Sequence, residues 1–221
     1  MKLTILKYAE SVIGEDSVFL GGKKGRIWPI SFFLFLFEDE NRKILVDTGC
    51  NTLPGFPLSR FIKPLDLLLK YGVKAEEITD LIITHSHSDH AELAAEFKNA
   101  TVYVQQEEYN IRKRYFLDNR KIITFENEIQ VADNIKVIKI GGHSIGSCIV
   151  EFTKNDKKYV IAGDEAYSRE CIKRKIPTGA SVNAIHSRKF IEKYSDENYT
   201  VLYSHDMDIL EGKNGFVTIE K

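Results

Sequence analysis

The sequence predicts an α/β protein built as an αββα sandwich, two mixed β-sheets packed face to face with helices on the outer faces. Three observations predict it. Short apolar runs of strand length recur along the whole chain, rich in Val, Ile, Phe and Tyr. Helical patterns fall between some of these runs rather than in one block. Two strand-rich blocks, each with helices, are best buried as two sheets against each other. No low-complexity linker and no exact internal repeat divides the chain, so one domain over residues 1–221 is expected.

The predicted strands begin with Leu3–Tyr8, Phe32–Phe37 and Lys43–Val46. The apolar stretch Ile30–Phe37, broken only by Ser31, is too short to span a bilayer and reads as a strand buried on both faces. Asp80–Ile83, Thr101–Val104 and Ile135–Ile140 follow. Ser147–Phe152, Tyr159–Ala162, Thr200–Tyr203 and Phe216–Ile219 complete the set. Pro64–Tyr71 opens on Pro and stops at Gly72, the usual punctuation of a helix. His90–Phe97 and Glu107–Tyr115 are further helix candidates. Val182–Tyr194 is another, with Ser181 as its N-cap and Ile185, Phe190 and Ile191 near one face. Cys50–Arg60, carrying Pro54, Gly55 and Pro57, reads as an irregular loop that serves either as a lid or as a dimer contact.

Composition narrows the functional classes. The chain is 43% hydrophobic and carries a net charge of −1. No field of one sign marks a nucleic-acid or membrane binder, which leaves a small-molecule substrate and a homodimer open. Cys50, Cys148 and Cys171 are an odd number without paired spacing, which argues against a disulfide framework and for a cytoplasmic setting. The first residues mix Lys2, Lys7 and Glu10 with apolar residues and do not resemble a signal peptide. Arg169 and Lys173–Lys175 read as exposed basic surface, with the mouth of a pocket as the alternative.

The chemistry concentrates in His85-Ser86-His87-Ser88-Asp89-His90. It follows the strand Asp80–Ile83 and precedes a helix candidate. Four potential ligands in six residues cannot all face one point on a regular strand or helix, but a tight strand-to-helix loop can converge them. Imidazole and carboxylate donors suit zinc, iron, manganese or nickel. His143, Asp164 and His205 each stand where a predicted strand gives way to a loop, and together with the first motif they point to one shared site. Asp47-Thr48-Gly49 follows the strand Lys43–Val46 in the same way. His186 lies within a helix candidate and is left outside the site.

This set of motifs resembles the metallo-β-lactamase superfamily over nearly the whole chain. The resemblance implies that His85, His87 and His143 hold one metal, that Asp89, His90 and His205 hold a second, and that Asp164 bridges them. It implies that Asp47 orients ligands from outside. The cofactor is then two divalent ions, zinc first, with iron, manganese, nickel and cobalt as alternatives. Two such ions share a hydroxide at neutral pH and stabilise both attacking and leaving oxygens. His87 at its position disfavours the superfamily's diiron oxygen reductases, which usually carry Glu there. Asp164 in place of Cys, together with His90, disfavours the classical β-lactamase branches.

Tyr167, three residues after Asp164 in Gly163-Asp164-Glu165-Ala166-Tyr167, is similar to the arrangement in N-acyl-homoserine lactone lactonases. That similarity implies a hydrolase opening an ester-like bond, a lactone. Tyr167 would polarise the carbonyl and Asp89 would pass a proton to the leaving alkoxide. The chain departs from the lactonase pattern at Ser88, where a bulky apolar residue is frequent, and at Ala91-Glu92-Leu93. The departures spare the ligands and alter the acyl pocket. The rival readings are a thioesterase of glyoxalase II type, a phosphodiesterase of ribonuclease Z type, and a non-catalytic ligand sensor. The short tail after His205 weighs against the first, the balanced charge against the second, and the complete ligand set against the third.

Overall fold

The computed structural model describes residues 1–53, 55–210 and 215–219. Among these, two mixed sheets lie face to face. The larger holds β1 (Lys2–Gly14), β2 (Ile27–Glu38), β3 (Lys43–Val46), β4 (Asp80–Ile83), β5 (Thr101–Gln105), β6 (Lys121–Phe125) and β12 (Gly215–Ile219), in the order β12-β1-β2-β3-β4-β5-β6. The smaller holds β7 (Glu128–Ala132), β8 (Ile135–Lys139), β9 (Cys148–Lys154), β10 (Lys157–Ile161) and β11 (Tyr199–Leu202), in the order β11-β10-β9-β8-β7. The expected αββα layering is the one observed.

Period-two alternation builds the layers. On β2, Phe33, Phe35 and Phe37 point between the sheets, where they meet Val137, Val150, Phe152 and Ile161 of the smaller sheet. Phe32, Leu34 and Leu36 point to the other face, against Leu67 and Leu68 of α2 (Pro64–Tyr71). This two-sided burial accounts for the unbroken apolar run in the sequence. On the far side, Ile149 and Val160 pack with Phe190, Ile191 and Tyr194 of α6 (Ala184–Tyr194).

Local signals fixed some helix ends and misled at others. Helix α2 spans the predicted residues and stops at Gly72, whose φ of 103° is left-handed. Helix α6 starts two residues later than predicted. Asn183, not Ser181, accepts the N–H groups of Ile185 and His186, and Ser181 instead bonds the Ser187 hydroxyl. Ile185 is exposed rather than on the apolar face.

The predicted helix His90–Phe97 is broken into one turn, α3 (Ser88–Ala91), and a 3-10 turn at Ala94–Glu96. The reason is competition for carbonyls. The His90 carbonyl accepts from the Thr48 N–H at 2.7 Å and the Thr48 hydroxyl at 3.0 Å. The Asp89 carbonyl accepts from the Tyr8 hydroxyl at 3.1 Å. Both are acceptors that a continuing helix would need. The candidate Glu107–Tyr115 likewise divides into α4 (Gln106–Ile111) and a 3-10 turn, because Arg112 leaves helical geometry and Phe116 turns into the core. Strands β6 and β7, α1 (Glu15–Val18) and α5 (Arg169–Arg174) were not anticipated.

The fold positions the site by strand direction. Strands β3 and β4 are parallel, as are β10 and β11. Their C-terminal ends therefore lie together, and Asp47, His85, Asp164 and His205 follow these four strands directly. Of the irregular Cys50–Arg60 stretch, Ser59 pairs with Glu10 of β1 through two backbone hydrogen bonds. Pro54 lies outside the described residues. No helix among the described residues is long and apolar enough to cross a membrane.

Candidate metal centre

Seven side chains converge at the edge where the two sheets meet. His85, His87, His143 and Asp164 offer ligand atoms within 4.8 Å of one another, and Asp89, His90 and His205 form a second such group. His87 Nδ1 lies 3.0 Å from His85 Nε2 and 2.9 Å from His143 Nε2. Tetrahedral zinc with nitrogens at about 2.0–2.1 Å spaces them about 3.3 Å apart, so this trio is close to a ligand set. Asp164 joins the groups. Its Oδ2 lies 3.7 Å from His85 Nε2 and 3.5 Å from His143 Nε2. Its Oδ1 lies 3.4 Å from His90 Nε2 and 3.2 Å from His205 Nε2.

The far sides of the rings are held. His90 Nδ1 donates to Asp47 Oδ2 at 2.8 Å. His205 Nδ1 donates to the Ser31 carbonyl at 2.8 Å, and His143 Nδ1 donates to the Ala180 carbonyl. The Thr84 hydroxyl stands 3.2 Å from His85 Nδ1 and itself donates to Asp47. Each partner places a proton on Nδ1, so each Nε2 presents a lone pair to the same space. Asp47 does this from a left-handed backbone, with φ of 61°. Its Oδ1 also accepts the Thr84 N–H at 2.8 Å, which ties the end of β3 to the end of β4.

Two buried carboxylates that sequence reasoning passed over brace the loop bearing His143. Glu165 Oε1 accepts the N–H groups of Gly142 and His143, both at 3.1 Å, and its Oε2 accepts the Ser187 hydroxyl at 3.0 Å. Glu108 accepts the Ser86 N–H at 2.8 Å and hydroxyl at 2.6 Å, the Ser144 hydroxyl at 2.7 Å and the Gly146 N–H at 2.9 Å. It thereby clamps the His85 loop to the His143 loop. A lone Glu in a sequence carries no sign of such a partner set.

The electrostatics suit cations. Burial lowers His85 and His143, which keeps them in the neutral form that ligates. Burial also opposes charge on His90 and His205, yet Asp164 and Asp89 outweigh it and push both upward. Burial would raise Asp164, but His205 and His90 hold it well below the usual carboxylate range. Among the described residues, His90 Nε2 and Asp164 Oδ1 are buried and make no hydrogen bond. Unpartnered buried atoms of this kind are costly, and a cation between them would satisfy both. The donor set therefore fits two divalent ions.

A cavity of about 700 Å³ opens from this cluster. Phe32, Leu53 and Phe56 give it apolar walls, and Asp89, Asp164, His87 and Tyr167 stand on its floor. Leu53 and Phe56 belong to the Cys50–Arg60 stretch. Tyr167 is buried, with its ring edge-on to His205 at 5.0 Å. Burial, then Asp164 and Asp89, push its hydroxyl well above the ordinary tyrosine value, so it stays protonated. Arg169 does not reach the cavity. It pairs with Asp206 at 2.9 Å, and Arg174 pairs with Glu170 at 2.8 Å. The cavity's basic residues are Arg112 and Arg114 instead.

Known proteins agree with this architecture. The model of the metallo-beta-lactamase superfamily matches residues 33–205. An N-acyl homoserine lactonase of Bacillus cereus is 26% identical, over 96% of this chain and 95% of its own. A probable metallo-hydrolase of Methanocaldococcus jannaschii is 30% identical, over 80% of this chain and 74% of its own. Among solved structures, an N-acyl homoserine lactone hydrolase with N-hexanoyl-L-homoserine at its catalytic metal center superposes with a TM-score of 0.83. That likeness covers 97% of this chain and 96% of that one at 19% identity, and it speaks to the fold. With the family model spanning both sheets and all seven converging side chains, the chain belongs to the metallo-β-lactamase superfamily of hydrolases.

Proposed function

We propose that this protein is a lactonase that opens the ring ester of an N-acyl homoserine lactone or a close analogue. His85, His87, His143 and Asp164 hold one divalent ion, and Asp89, His90, His205 and Asp164 hold the other, zinc in the first instance. The observation that carries the reading is the placement of Asp164, one oxygen toward each histidine group, at the floor of a cavity shared with Tyr167. The pair of ions, when bound, supplies hydroxide at neutral pH and offsets charge on the reacting oxygens.

The chain's own residues do the rest. The Tyr167 hydroxyl, kept protonated by its surroundings, donates a hydrogen bond to the lactone carbonyl oxygen and strengthens it as negative charge develops. Asp89 lines the cavity, and its carboxylate takes the proton of the added hydroxide and returns it to the alkoxide that leaves as the ring C–O bond breaks. Phe32, Leu53 and Phe56 receive the acyl chain and exclude water from its length. The three cysteines are buried and free, which suits a reducing compartment.

The test is turnover by zinc-loaded protein on matched panels of acyl homoserine lactones, thioesters and phosphodiesters. Lactones are expected to be preferred in kcat/KM. Inactivity on every lactone with both metal equivalents bound would remove the proposal.

A further inference from the structure

The cavity is larger than a lactone ring needs, and its wall carries charge that the ring would not use. Arg26, Arg42, Arg60, Arg169 and Arg174 each pair with a carboxylate at 2.7 to 3.5 Å. Arg112 and Arg114, like Arg120 and Arg188, make no ion pair among the described residues, but Arg112 and Arg114 alone of these four line the cavity. The only hydrogen bond of the Arg112 guanidinium among them is to the neighbouring Ile111 carbonyl at 3.5 Å. Arg114 lies over the ring of Tyr115, 5.1 Å from its centroid, and Tyr115 is itself on the cavity wall. Helix α4 ends at Arg112, and the 3-10 turn that follows carries Arg114 and Tyr115.

The charge balance of the wall narrows the ligand. Asp89 and Asp164 belong to the donor groups. Glu92 is the remaining carboxylate on the wall, and it too makes no ion pair among the described residues. Apart from the donor groups, two guanidinium charges against one carboxylate leave one positive charge in excess on the wall. A guanidinium fork matches a carboxylate in a bidentate manner. A dianion would be overcharged for this wall and a methyl-ended chain would leave the arginines unused.

From this we infer that the substrate is a lactone whose acyl chain ends in a carboxylate, with Arg112 and Arg114 reading that distal group. The inference rests on the lactonase reading and adds the chemistry of the tail.

The experiment compares two γ-butyrolactones acylated through an amide with chains of equal length, one ending in methyl and one in carboxylate. It uses metal-loaded wild-type protein and the double variant R112A/R114A. The carboxylate-ended lactone is expected to have at least tenfold higher kcat/KM, mostly through KM, with the advantage shrinking as salt rises. In the double variant the ratio between the two substrates is expected to fall to about one. Equal kcat/KM in wild type, or a preference that survives the double variant, would overturn the inference. The matching lactams, which are not opened, are titrated by calorimetry in parallel. If neither lactone is turned over but the carboxylate-ended lactam binds tenfold tighter, and only with the arginines present, the tail assignment stands and the lactonase reading falls. Equal lactam affinities would overturn the tail assignment regardless of turnover.

Discussion

Asp47 and His90, forty-three positions apart, are joined by a hydrogen bond of 2.8 Å from His90 Nδ1 to Asp47 Oδ2. The same carboxylate accepts the Thr84 N–H, so it sets both the tautomer of a donor ring and the exit of the chain from β4. Replacing Asp47 with Asn keeps a side chain that tolerates the left-handed backbone and removes the anionic acceptor. D47N is expected to lower affinity for the second of two zinc equivalents by about 10- to 100-fold. Competition with a coloured chelator measures this, and unchanged affinity would leave Asp47 as a turn residue only.

Tyr167→Phe preserves the edge-on ring contact with His205 and deletes the hydroxyl. Loss of an oxyanion donor typically costs about 10²- to 10³-fold in kcat. The expectation for Y167F is a fall of that order with zinc content unchanged. A variant that keeps wild-type kcat would show the hydroxyl to be idle.

Glu165 holds the His143 loop by its backbone, and a Gln in its place keeps one acceptor but turns the oxygen that receives the Ser187 hydroxyl into a donor, which forces that hydroxyl to reverse. E165Q is expected to cost about 1–3 kcal/mol of stability, read as a lower urea midpoint. Gly142 offers an independent check. A Cβ there would sit 2.2 Å from Glu165 Oε2 and 2.8 Å from the Ser187 backbone nitrogen, so G142A should be destabilising by the same route.

Glu108 supplies a pH signature. Burial opposes its ionisation, but hydrogen bonds from Ser144 and Ser86 outweigh it and lower the group below its ordinary value of 4.5. A lowered carboxylate contributes stability that is full above the unfolded value and is lost as pH falls through the folded one. Wild type should therefore be more stable than E108Q at neutral pH, and the gap should close as pH falls below about 4.5. Urea midpoints of metal-free protein at a series of pH values measure the gap. A gap independent of pH would mean that the charge on Glu108 contributes nothing.

Removal of metal should loosen the sandwich. Without cations, His90 Nε2 and Asp164 Oδ1 face each other at 3.4 Å, buried and with no hydrogen bond among the described residues. Ligand at 1,000 times its Kd stabilises by about 4 kcal/mol, so chelation is expected to lower the thermal midpoint by several degrees and added zinc to restore it. Scanning calorimetry before and after chelation decides it.

Much of this was legible in the sequence because the signals are local. The apolar run from Ile30 to Phe37 announces burial on both faces. Pro64 and Gly72 bracket α2 because a missing N–H and a left-handed φ are properties of single residues. The histidine motif stands out because its spacing fits no regular element. What stayed hidden depends on partners distant in the chain. Thr48 and Tyr8 take the carbonyls that would have continued the helix past His90. Glu108 and Glu165 are ordinary acids until the fold surrounds them with N–H and hydroxyl groups. Arg112 is an ordinary surface base until the fold sets it on the cavity wall.

The origin of the converging side chains has a consequence for how the molecule comes together. His85, His87, Asp89 and His90 are carried by the larger sheet, whereas His143, Asp164 and His205 follow strands of the smaller one. Neither half alone owns a full coordination shell. Tight capture of an ion would thus report that the halves have docked, and a bound ion would act afterwards as a clasp across their seam. Strands could fray at either outer edge with the clasp shut, but the halves could part only by giving it up.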